Sequence, residues 1–165
     1  LKAAVGGTLA TMRDAQAIFA PHMNSYRRFQ PNSFAPSAPD WGVDHRGAGI
    51  RLPEINGMGA RLEHRISGAD VNPYLVLAAV LGGILYGLEN DSPLPLPLDD
   101  DNATSSEPLT HDWTTAVEYF ADSDFIADIF GEDYRHIYAA VRRDEINELA
   151  SIITSVEYRY YLSRL

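Results

Sequence analysis

Apolar residues fall at positions 5, 9, 12, 15, 18 and 19, the spacing of one helical face, and predict a helix over 5–19 that Pro21 ends. Gly6 and Gly7 weaken its start. Residues 22–40 are rich in Pro, Asn and Ser and read as a long irregular loop, a length that compact domains mostly keep for function. The pattern then changes to alternation over 41–53 and 59–66, where Ile50 and Leu52 bracket Arg51 and Leu62 sits between Arg61 and Glu63. The intervening Glu54-Ile55-Asn56-Gly57 is turn chemistry, so two strands joined by a hairpin-like connection are expected. Alternation puts Arg61, Glu63 and Arg65 on one strand face, opposite Leu62 and His64.

Asn72-Pro73 is a helix start, with Asn as the N-cap and Pro in the first turn. The helix to about Tyr86 is apolar nearly all round and is expected at the centre of the core. Residues 91–108, with alternating Pro and Leu and the run Asp99-Asp100-Asp101, read as a surface excursion. That acidic run is a solvated face rather than a calcium loop, since it lacks the glycine and terminal Glu of an EF-hand. Thr110 or Asp112 is placed to cap one further helix, and Asp122 or Ser123 to cap another that ends at Gly131. A long helix from about Glu132 would carry Tyr134, Ile137, Val141, Ile146, Leu149, Ile153, Val156 and Tyr160 on one stripe.

At 165 residues the chain has the size of one domain and can bury a core without staples. It contains no cysteine, which excludes thiolate catalysis, Cys-ligated zinc and disulfides, and fits a cytoplasmic location. The most apolar stretch, 71–88, is interrupted by Gly82, Gly83 and Gly87, so a buried helix is expected rather than a membrane span. A net charge of −10 argues against nucleic acid as a partner. Residues 21–66 depart from that balance, with six arginines against four acids, a local +2, while the remainder is −12. Of the thirteen basic residues only Lys2 is a lysine. Such a segment fits bidentate recognition of carboxylate or phosphate, or else a set of solvated charges and ion-pair partners.

Asn24-Ser25-Tyr26-Arg27-Arg28-Phe29, Ala35-Pro36, His45-Arg46 with Ile50-Arg51-Leu52-Pro53, Arg61-Leu62-Glu63-His64-Arg65, and Ala69-Asp70-Val71-Asn72-Pro73-Tyr74 follow one another within about sixty residues. In that order and spacing they resemble the C-terminal part of the glutamine synthetase catalytic domain. The resemblance implies an α+β fold, a few antiparallel strands packed by helices, and a homo-oligomeric ring in the full-length protein. It also implies ATP and Mg²⁺ or Mn²⁺ as cofactors, and a γ-glutamyl phosphate that an amine attacks. Carried over by motif position, Arg28 and Arg65 resemble substrate-side arginines, and Arg46 the one beside the transferring phosphoryl group. Arg51 and Arg61 resemble nucleotide-phosphate contacts, and Glu63 a metal-binding carboxylate. Arg27 matches no role and is assigned to the surface; His45 and His64 are assigned structural places.

Two departures from the family pattern matter. Its other metal-binding glutamates and its His-x-His segment have no counterpart here, so the chain is expected to be a fragment, inactive by itself. Phe34 stands where ammonia-using members carry a glutamate. Phe34 is therefore assigned to an amine pocket, and the sequence looks most like the γ-glutamylpolyamine and γ-glutamylputrescine synthetase branch. Ordinary glutamine synthetase and a catalytically silent relative are the alternatives.

Overall fold

A computed structural model describes residues 1–30, 33 and 35–164. Phe34, assigned to an amine pocket, lies outside the described residues. The fold is α+β as expected: among the described residues a small sheet, β1 (Trp41–Val43), β2 (Ile50–Glu54) and β3 (Arg61–His64), is packed by helices. These are α1 (Lys2–Ala10), α2 (Gln16–Phe19), α3 (Pro73–Glu89), α4 (Trp113–Asp122), α5 (Asp124–Phe130), α6 (Glu132–Ser151) and α7 (Ser155–Leu162). The core lies between α2, the sheet and α4, with Ile18, Phe19, Phe29, Ile50, Ile66 and Phe120 sealed from solvent. Gln16 is buried there with both ends of its amide used, donating from Nε2 to Thr110 O at 2.7 Å and accepting from Thr110 N at 3.2 Å.

The expected helix over 5–19 is two helices. α1 stops at Ala10, after which Thr8 and Thr11 donate their hydroxyls back to the carbonyls of Ala4 and Gly7. Such back-bonding competes with continuing the helix. Gly6 and Gly7 do more than weaken a helix start. A Cβ on Gly7 would lie 2.3 Å from Gly83 O and from the N and Cα of Gly87. One on Gly87 would lie 2.0 Å from Ala3 O. The glycines therefore let the backbones of α1 and α3 touch.

That close crossing overturns the expected position of α3 at the centre of the core. Its buried residues are Ala79, Gly82, Gly83 and Gly87, while Tyr74 is 82% exposed and Leu77, Leu81, Leu85 and Leu88 are exposed too. An apolar helix does not choose its inner face by hydrophobicity alone; here Gly83 and Gly87 face α1 because only a residue without a side chain permits that backbone contact. The start is as expected: the Asn72 side chain accepts from Tyr74 N and Leu75 N, with Pro73 leading the helix.

Toward the C-terminus, Asp112 caps α4 through Thr115 N at 2.7 Å and Ser123 caps α5 through Ile126 N at 3.2 Å. α6 starts near Glu132 as expected, but only part of the predicted stripe is its inner face. Tyr134 and Ile146 pack against the core, whereas Ile137, Val141 and Leu149 are exposed and Tyr138 and Ala139 face inward instead. The helix also stops at Ser151. Thr154 and Glu157 then form a reciprocal capping box that begins α7, and that helix buries no residue.

The alternating stretch 41–53 holds two strands rather than one. β1 and β2 run parallel, Trp41 opposite Ile50, although only residues 44–49 connect them. A parallel pair ordinarily needs a connection of a dozen residues or more. The return is made within six because Asp44 adopts a φ of +49°, and Asp40 accepts from Gly49 N at 2.7 Å and, through its carbonyl, from Ile50 N at 2.9 Å. A Cβ on Gly49 would meet Ala38 O at 2.4 Å. β2 and β3 pair antiparallel, as the hairpin reading expects, with Arg51 opposite Glu63 and an irregularity before Glu54.

Candidate active site

Of the basic residues singled out in the sequence, Arg51 and Arg65 meet at Glu63 on the β2–β3 pair. The opposition of Arg51 and Glu63 follows from the β2–β3 register, since directly facing residues bring their Cβ atoms within about 5.5 Å. Arg51 Nη1 donates to Glu63 Oε2 at 3.0 Å, and Arg65 Nη1 donates to Glu63 Oε1 at 2.8 Å. Arg51 also donates from Nε (3.0 Å) and from Nη2 to Asp44 Oδ1. The result is a linear chain of alternating charge, Asp44, Arg51, Glu63, Arg65.

The two carboxylates respond as such neighbours require. The hydrogen bond from Arg51 holds Asp44 below the ordinary carboxylate range, with a further contribution from the charge of Arg46. Glu63 is lowered too, first by its hydrogen bond from Arg65 and also by Arg51. Asp44 carries no recognised motif in the sequence, yet it is what turns the chain out of β1 and grips Arg51. The one available signal is its residue type, because Asp is among the few residues that adopt the left-handed region readily.

Arg46 stands exposed in the turn between β1 and β2; among the described residues it has no ion-pair partner. Arg61, at the start of β3, is likewise exposed, donates to Gly59 O at 3.2 Å and stays outside the ion-pair chain. Arg28 ends a 3-10 segment, Met23–Arg28, inside the stretch expected to be irregular. Its guanidinium donates to Ile66 O and, at 3.4 Å, to Ser67 O, immediately beyond Arg65. Arg27 is exposed and donates to Asn24 Oδ1 at 3.2 Å, in keeping with a surface place.

The histidines behave as packed or local groups. His64 rests its ring 4.2 Å from that of Phe19, with Nδ1 3.1 Å from Ser67 Oγ, and burial pushes its pKa down to about 4. His45 Nδ1 accepts from Gly47 N at 3.2 Å. Among the described residues no three His, Asp or Glu side chains form a metal cluster. The side chain of Glu63 is 40% exposed, so one carboxylate edge of this wall faces outward. A hard divalent ion demands more oxygen donors than that.

A wall of fixed guanidinium groups threaded by carboxylates suits anionic ligands rich in oxygen, with the carboxylates orienting the forks. No helix of the described chain is long and apolar enough to cross a membrane.

Known proteins resemble the chain over nearly its whole length. The family profile "Glutamine synthetase, catalytic domain" matches residues 1–161. The chain is 35% identical over 163 residues to γ-glutamylputrescine synthetase PuuA of Escherichia coli (strain K12), covering 98% of this chain and 34% of that protein. It is 35% identical over 164 residues to γ-glutamylethanolamide synthetase GlnA4 of Streptomyces coelicolor, with 98% and 35% covered. Among solved structures, the GmaS/ADP complex superposes with a TM-score of 0.84 at 26% identity, over 98% of this chain and 39% of that one. The chain thus spans about a third of the length of the curated relatives it matches.

Proposed function

The chain belongs to the glutamine synthetase catalytic-domain family, and on that premise we propose that the whole protein is an ATP-dependent ligase joining the γ-carboxylate of glutamate to an organic amine. These 165 residues would be the C-terminal part of its catalytic domain, needing the remainder for turnover. The γ-phosphoryl group passes to the glutamate carboxylate, giving an acyl phosphate and ADP. The amine nitrogen then attacks the acyl carbon, the C–O bond to phosphate breaks, inorganic phosphate leaves with the electron pair, and the proton lost by the nitrogen passes to the departing phosphate or to solvent.

The observation that carries this reading is the charge chain along β2 and β3. A phosphoryl transfer between two polyanions needs donors held in place before charge develops. Arg51, clamped by Asp44 and Glu63, is such a group on the nucleotide side, with Arg61 beside the nucleotide. Arg65, held by Glu63, and Arg28, held by the carbonyls after β3, serve the substrate carboxylates. Arg46 faces the transferring phosphoryl group; among the described residues no carboxylate neutralises it within ion-pair distance. Mg²⁺ or Mn²⁺ would shield the phosphate oxygens. Glu63 would supply one oxygen ligand for it, and the others would come from outside these residues. The expected setting is a homo-oligomeric ring in the cytoplasm.

For the amine we take putrescine or a longer polyamine, on two grounds. Phe34 offers an apolar wall in place of a carboxylate, and the relatives described above are named for organic amine products. Each well-packed methylene is worth roughly 1 to 3 kcal/mol of discrimination. Competition kinetics with ammonium, putrescine, spermidine and a monoamine test this in the full-length enzyme. A higher kcat/KM for putrescine or spermidine than for ammonium, weakened by Phe34→Ala, is the expected result. Ammonium as the best substrate would make the protein an ordinary glutamine synthetase, and no ligation with any amine would make it a silent relative.

A further inference from the structure

Ser25 and Asp70 lie 45 residues apart and have no chemistry assigned to them, yet they join the Met23–Arg28 segment to the rest of the molecule by a side-chain-to-side-chain hydrogen bond. Ser25 is 2% exposed; its Oγ donates to Asp70 Oδ2 at 2.6 Å and accepts from His22 N at 3.1 Å. Both capacities of the hydroxyl are thereby used, and the 3-10 segment that ends in Arg28 is fastened three residues upstream of it. The same carboxylate also shares the space beside Gly68 with Arg28. A Cβ placed on Gly68 would lie 2.2 Å from Asp70 Oδ1 and 3.4 Å from the guanidinium carbon of Arg28. Asp70 and Arg28 therefore both border the space that a Gly68 side chain would occupy, and Gly68 N is itself tied to Phe19 O at 3.1 Å.

Among the described residues Asp70 and Arg28 form no ion pair. Two of the guanidinium nitrogens donate to backbone carbonyls, Nη2 to Ile66 O and Nη1 to Ser67 O, which fix direction without cancelling charge, and the buried Nε has no hydrogen-bond partner among the described residues. We propose that Asp70 is the positioning residue for Arg28: through Ser25 and across Gly68 it holds that arginine aimed and un-neutralised for the carboxylate of the acidic substrate. Two residues further on, Asn72 caps α3, so the latch also joins the 3-10 segment to the start of that helix. A group held in the right orientation loses less freedom on binding, so loosening it weakens binding without removing a contact.

This inference rests on the reading of Arg28 as a substrate-side arginine, and the test separates the two. In the full-length enzyme, Asp70→Ala should raise the KM for glutamate about tenfold, the size of one lost charged hydrogen bond, and leave the KM for ATP within about twofold. Ser25→Ala breaks the same link from the other side and should match it. Asp70→Asn still accepts from Ser25 Oγ and should recover most of the affinity. In an Arg28→Ala background Asp70→Ala should add nothing further, because a positioning residue acts only through the group it positions. If Arg28→Ala raises the KM for glutamate but Asp70→Ala does not, the inference alone falls. An additive effect of the two changes overturns it as well. So does a loss in Asp70→Ala that affects glutamate and ATP equally, follows the melting temperature and is not rescued by Asn. If Arg28→Ala leaves the KM for glutamate unchanged, the reading of Arg28 falls and the inference with it.

Discussion

Gly7→Ala sets two opposing effects against each other where α1 crosses α3. Alanine inside a helix is favoured over glycine by about 1 kcal/mol, so on helix propensity alone the substitution stabilises. The new methyl, however, would sit 2.3 Å from Gly83 O, Gly87 Cα and Gly87 N, all of them backbone atoms. Backbone has no rotamer to yield, so relief requires the two helices to separate by about an ångström, which forfeits a quarter to a half of each contact's dispersion well. Overpacking of this kind costs roughly 1 to 3 kcal/mol. Taking the upper end for a wall of backbone and subtracting the propensity gain leaves about 2 kcal/mol of net destabilisation. At 2–4 °C per kcal/mol for a chain of this size, the melting midpoint should fall by about 4–8 °C. Gly82→Ala is the milder comparison, because the atoms nearest its methyl, at 2.8 to 3.1 Å, belong to the Ile129 side chain, which shifts more readily than backbone although a β-branched residue turns little about χ1. At the lower end of the overpacking range, about 1 kcal/mol, its strain is offset by the propensity gain, so the net change should lie within about 0.5 kcal/mol of zero. Denaturant unfolding of both variants, read as a change in midpoint at constant slope, measures the difference. Equal stability of the two variants, or a Gly7→Ala protein as stable as the parent, would refute the backbone-contact account.

Two further measurements bear on the site and its support. His64 should stay neutral down to about pH 4; because its folded pKa is depressed, stability should fall as pH drops from about 6.5 to 4. An NMR titration of the ring with a midpoint near 6.5 would contradict its burial against Phe19. In the full-length enzyme Arg46→Lys keeps the charge but loses the bidentate fork, so kcat should fall about a hundredfold while the KM for ATP moves less than about threefold. An unchanged turnover number would remove Arg46 from the chemistry.

Caps, turns and alternation carried much of the fold, because each is decided within a few residues. Asn72-Pro73, Asp112 and Ser123 begin helices where their side chains meet free backbone N–H groups. Period-two alternation sufficed to put Arg51 and Glu63 on neighbouring strands, and the order of motifs sufficed for the family. The inner face of α3, by contrast, was decided by tertiary contact. Hydropathy ranks leucine above glycine for burial, but backbone approach between α1 and α3 admits only the residue without a side chain, and the leucines were left outside. The same holds for the turn that carries Arg46. A strand-like stretch was divided into two parallel strands by a left-handed Asp44 and a hydrogen bond from Gly49 to Asp40, neither of which leaves a mark on periodicity. The ion-pair chain and the Ser25–Asp70 link join residues far apart in sequence, and their partners were settled by the folded chain because Coulomb and hydrogen-bond energies depend on distances in space that separation along the chain does not encode.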